Sequence, residues 1–90
     1  MDIHAKLVMA VTEYDRKEST KRHYNAYALG QYLGRIQEID ADIAAGANVR
    51  AAICAGFTGR LLAVCLKAIG EPKPTDEELR GKSLYYRPTV

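Results

Sequence analysis

Ninety residues with 48% hydrophobic and 27% charged content describe one globular domain rather than a disordered or collagenous chain, and a chain of this size buries only about 60 to 65% of its unfolded surface. Arg60 and Lys67 interrupt the longest apolar stretch, which leaves no run near the roughly 18 to 20 residues of a membrane span. A net charge of +2 is too small to demand nucleic acid as a partner.

The opening MDIHAKLVMAV carries an acid and a histidine where a signal peptide would carry positive charge, so a cytoplasmic protein is expected. Ile3, Leu7, Val11 and Tyr14 repeat at the spacing of an amphipathic helix and predict one over about 3–17, with Asp2 as its N-cap. Next comes a polar stretch with Arg16, Lys17, Lys21 and Arg22 set against Asp15 and Glu18. Followed by Tyr24 and Tyr27, these cations form the best nucleic-acid feature of the chain, since interleaved cations and aromatics bind phosphates and stack bases. The patch is short, holds its own acids and lacks a recognition-helix pattern, so a solvated turn is the simpler reading.

From about 21 to 45 the pattern is again helical. Leu29, Tyr32, Ile36, Ile39 and Ile43 fall within an arc of roughly 80° and predict a core stripe. Opposite them lie Ala26, Gly30, Gly34, Gln37, Ala41 and Ala45, a stripe of mostly small residues against which another helix can approach closely. Gly46 occupies a helix C′ position and Asn48 an N-cap, so the short connection predicts an antiparallel hairpin whose second arm runs from about 49 to 69 and stops at Gly70 and EPKP.

That arm contains ICAGFTGRLL. Two glycines three apart followed by arginine match the GxxG loop with which KH domains clamp nucleic-acid backbone, but a KH fold needs strands and neither flank alternates as a strand would. A Walker loop and a dinucleotide-binding fingerprint are absent. The alternative is a helix, apolar around most of its circumference, whose remaining stripe holds Ala52, Gly56, Gly59, Arg60, Ala63 and Lys67. Gly30, Gly34, Gly56 and Gly59 in helix interiors would together cost roughly 3 to 4 kcal/mol relative to alanine, and a closely packed partner would offset that. Arg60 and Lys67, set among small residues, suit an anionic partner, unless Arg60 pairs internally with Glu38 or Asp42.

Thr75 and Glu78 form a capping-box pattern and predict a short helix over about 76–80. The expected organisation is thus all-α: a three-helix arrangement built on the long hairpin, as one domain over 1–81, with an extended tail over 82–90. In that tail Tyr85, Tyr86 and Arg87 are of the types enriched at interface hot spots.

Chemistry is thin. Cys54 and Cys65 read as buried thiols, and His4 and His23 fall in no recognisable catalytic or metal-binding spacing. No catalytic residue, cofactor or metal is expected. The reading is a non-catalytic interaction module, a regulator or inhibitor of a larger protein or assembly, self-associating as a dimer through Gly30, Gly34, Gly56, Gly59, Arg60, Lys67 and the tail, with no membrane partner. The alternative is a small nucleic-acid- or nucleotide-binding protein using the basic 16–23 segment and Arg60 and Lys67.

Overall fold

A computed structural model describes residues 2–19 and 27–81. These form an all-α domain of α1 (Ile3–Ser19), α2 (Ala28–Ala44), α3 (Val49–Gly56), α4 (Gly59–Ala68) and α5 (Asp76–Leu79). The expected start of the second helix, residues 21–26, and the tail 82–90 lie outside the described residues.

Local signals act as the sequence implies. The Asp2 carboxylate accepts from the Ala5 amide at 2.8 Å and caps α1. Where α2 ends, Gly46 adopts φ +100°. There the Gly46 amide donates to the Ile43 carbonyl at 3.0 Å and the Ala47 amide to the Asp42 carbonyl at 2.9 Å, the paired closure that a left-handed C′ glycine permits. Asn48 then caps α3 by accepting from the Ala51 amide at 3.0 Å. At α5 the capping box is complete: the Thr75 hydroxyl accepts from the Glu78 amide at 3.1 Å, and the Glu78 carboxylate from the Thr75 amide at 2.9 Å.

The expected helix over 49–69 is not one helix. Phe57 and Thr58 are extended, at φ −132° and −133°, and Gly59 restarts the chain at φ +60°, a left-handed conformation that costs other residues roughly 1 to 2 kcal/mol. The sequence between the pieces explains the break. Glycine, phenylalanine, β-branched threonine and glycine in succession are all poor helix formers, and the second glycine opens a backbone region the others avoid.

The break redirects the hairpin. α3 returns along α2, while α4 packs against α1. α1 lies against both α2 and α4 and runs antiparallel to each: His4 meets Asp40 and Tyr14 meets Tyr32 on one side, while Glu18 meets Arg60 on the other and Met9 lies near Ala68.

The core sits where these elements meet: Leu7 and Val11 from α1, Ile36 and Ile39 from α2, Ala52, Ile53 and Cys54 from α3, Phe57 from the break, and Leu61, Leu62, Cys65 and Leu66 from α4. Leu29, Tyr32 and Ile43 of the expected stripe are partly buried against it. Val64 faces outward, because α4 is covered on fewer sides than a continuous central helix would be.

Candidate functional site

Where α4 leaves α2, a wedge of space remains. It forms a groove of about 1090 Å³ whose α2 wall carries Gly34, Arg35, Glu38 and Ala41, and whose other wall carries Gly56, Phe57, Thr58 and Leu61. Tyr14 and Tyr32 close one end. Their rings meet edge to face at 6.3 Å and 68°, and Tyr32 meets Phe57 in the same way at 6.3 Å and 73°, the arrangement aromatic quadrupoles favour. This aromatic chain ties α1, α2 and the break together and gives the groove a rigid apolar end. Arg35 and Glu38, paired at 3.8 Å, make its rim polar.

The four glycines of the expected small-residue stripes separate here. Gly30, in the first turn of α2, and Gly34, in its interior, are exposed, and a Cβ at either would meet nothing within 4 Å. No part of the described chain approaches them. Gly56 is different: a Cβ there would lie 2.9 Å from Ile39 Cδ1, so the close helix approach expected from small residues does occur, within this chain, between α3 and α2. Gly59 leaves the stripe altogether, because its left-handed conformation starts α4 rather than lining a helix interior.

Arg60 is internally paired, but not with Glu38 or Asp42. Its guanidinium lies 3.2 Å from Glu18, whose side chain is 3% exposed. The correction follows from the break, which turns the start of α4 toward α1 instead of α2. Lys67 is exposed on α4 beside a second, smaller depression next to α5, so the two cations of the expected stripe serve different surroundings.

In the basic segment Arg16 and Lys17 are exposed and share Glu13, at 2.6 and 3.7 Å, which holds the Glu13 carboxyl below its usual range, chiefly through the Arg16 hydrogen bond. Tyr27 precedes α2 and is largely exposed. Lys21, Arg22, Tyr24, Tyr85, Tyr86 and Arg87 lie outside the described residues.

A densely connected polar group, Arg50, carries no sequence signal that singles it out. It lies in the first turn of α3 and reaches across to the chain entering α5. Its Nε and Nη2 donate to the two carboxylate oxygens of Glu78 at 3.2 and 2.8 Å, Nη1 donates to Glu71 at 3.2 Å and to the Pro72 carbonyl at 2.9 Å, and Nη2 donates to the Lys73 carbonyl at 3.1 Å. Such a two-pronged ion pair is the strong form of a charge-assisted hydrogen bond. Together with the Thr75 amide it holds the Glu78 carboxyl down at about 2 and pushes the Arg50 guanidinium up. The Cys54 thiol donates to Glu78 at 3.3 Å.

Both cysteines are free and buried. Burial, with the Glu78 carboxylate adding to it, pushes the Cys54 thiol up to about 11, and burial alone takes Cys65 to about 12. The thiolate is the reactive form, so at pH 8 a displacement of two units or more leaves at least ~100-fold less of it than in an unfolded chain. Iodoacetamide modification of the native protein is therefore expected to be at least ~100-fold slower than in urea; equal rates would show that neither thiol is enclosed. Raised thiol values contribute stability that is intact below about 9 and is lost as pH rises toward 11 and 12.

Among the described residues no group of three or more His, Cys, Asp or Glu is placed to hold a metal ion, and no helix is long and apolar enough to cross a membrane. His4 pairs with Asp40 at the surface. The site defines a class: an all-α domain offering an aromatic-ended groove beside an open helix face. Compared with models of known families, with curated proteins and with solved structures, the chain matches none.

Proposed function

We propose that this chain is a non-catalytic interaction module that self-associates as a dimer through the open face of α2 and the adjoining groove, and that it regulates or inhibits a larger protein or assembly. One observation carries the reading: Gly30 in the first turn of α2 and Gly34 in its interior have nothing within 4 Å of a Cβ position. Each costs about 0.8 to 1 kcal/mol relative to alanine, and no contact in the described chain offsets that cost. A second copy laid antiparallel on the same face would approach closely at these positions. Arg35 and Glu38, opposite charges flanking the face, would then alternate with their counterparts across the two-fold axis, which makes the surface self-complementary. The two free, buried thiols suit a reducing compartment, consistent with the cytoplasm.

The reading is tested by light scattering after size exclusion, combined with alanine at positions 30 and 34. Gly30→Ala and Gly34→Ala are expected to raise the stability of the folded chain by about 0.8 to 1 kcal/mol each while weakening dimerisation. A strict monomer at all concentrations, or stabilised variants that associate as well as the parent, would sink the proposal. Nucleic acid as the partner draws less support, because Arg16 and Lys17 are engaged with Glu13 and Arg60 with Glu18. Retention on DNA or RNA that falls steeply with salt would favour it instead.

A further inference from the structure

A second depression, of about 450 Å³, lies between α4 and the chain that leads into α5, and shares no residue with the groove. Ala63, Pro74 and Leu79 supply apolar surface, while Lys67, Lys73 and Glu71 stand around it. We propose that it binds a small amphipathic monoanion, an acyl or aryl carboxylate of about six to ten carbons, apolar body inward and carboxylate between Lys67 and Lys73.

Three observations converge. The volume falls within the few hundred Å³ typical of small-ligand sites, which are mostly apolar with a few polar groups fixing orientation. The charge around it is one-sided. Among the described residues the Lys67 and Lys73 ammonium groups have no ion-pair or hydrogen-bond partner, and the one acid at the edge, Glu71, is already held by Arg50 at 3.2 Å. The remaining acids of this region are placed elsewhere: Glu78 is bound to Arg50, and Asp76 and Glu77, in the first turn of α5, do not line the depression.

The third observation is rigidity. The Glu71–Pro74 connection that forms one side is clamped from behind, because the Arg50 guanidinium bonds the Pro72 and Lys73 carbonyls at 2.9 and 3.1 Å. A wall held in place before the ligand arrives spares the ordering cost of binding. The lysine stems add apolar surface while their ammonium groups stay at the water boundary, which matches the two ends of the ligand.

The test is an NMR titration of the full chain with octanoate, octylammonium and octanol. Octanoate is expected to shift the Ala63 and Leu79 amides and to bind in the millimolar range or tighter. Octylammonium should bind at least ~10-fold more weakly, and Lys67→Ala/Lys73→Ala should lose about 10-fold for octanoate, the order two exposed ion pairs supply. Both lysines are exposed, so that variant keeps the fold. Equal binding of the three probes, unchanged affinity in the double variant, or no response to octanoate each overturns the proposal. Dimerisation measured by light scattering is expected to be the same with and without octanoate, which keeps this result separate from that of the α2 face.

Discussion

Replacing Arg50 by alanine is expected to destabilise the fold by about 2 to 3 kcal/mol and to release α5 and the chain entering it. Five hydrogen bonds disappear together, and hydrogen bonds to charged groups contribute about 1.5 to 3 kcal/mol each when fully protected. Here water replaces part of the loss, because the Arg50 side chain is 22% exposed, so the sum is far below five full contributions. Glu78, 16% exposed at its side chain, would keep the Thr75 amide and the Cys54 thiol but no counter-charge.

Urea unfolding measures the stability, and hydrogen exchange at residues 76–81 measures the local release. Iodoacetamide adds a specific readout, since Cys54 should become more reactive while Cys65, in α4, keeps its protection. Arg50→Lys restores the charge without the planar fork and is expected to recover less than half. The same contact sets an acid limit. Glu78 is held at about 2 against an ordinary 4.5, so its contribution is complete above about 4.5 and disappears as pH falls toward 2, a loss that should be missing from the Arg50→Ala variant. Wild-type stability and acid behaviour in Arg50→Ala would show that the clamp contributes nothing.

The second large effect is expected at Ile39. This side chain is fully buried between α2 and α3, and its truncation to alanine should cost about 3 kcal/mol, within the 2 to 5 typical of such cavities. Its methyl end lies over Gly56, where an added Cβ would come within 2.9 Å. Gly56→Ala alone should therefore lose about 1 kcal/mol, overpacking outweighing the gain in helix propensity. Made together with Ile39→Val, which removes Cδ1, that loss should largely vanish, giving a coupling of about 1 kcal/mol in a double-mutant cycle. Additive effects would mean that α2 and α3 do not approach as closely as Gly56 allows.

Gly56 also shows how far sequence reading reaches. Small residues permit close helix packing, and Gly56 meets Ile39 within this chain, yet the stripe that contains it is one geometric object only if 49–69 is a single helix. Once Phe57 and Thr58 leave helical geometry, Gly56 faces Ile39, Gly59 turns the chain, and Arg60 meets Glu18. Lys67 remains on α4 with its own depression. Short-range arithmetic at 100° per residue cannot foresee this, because a break of two residues resets the wheel. Gly30 and Gly34 stayed where the wheel put them, since no break intervenes in α2.

What the sequence determines by itself is local. The all-α class, the start of α1, the Gly46 closure, the Asn48 cap, the α5 capping box and most core positions follow from caps, glycines and apolar spacing, all of which act over a few residues. The tertiary structure decides what depends on direction: α4 turning toward α1, the groove left behind it, and Arg50 spanning more than twenty residues of sequence to hold Glu71 and Glu78. The physical reason is that a guanidinium or a buried isoleucine finds its partner through the angle at which helices meet. That angle is set at 57–59 by one left-handed glycine, whose consequences appear only once the helices are packed.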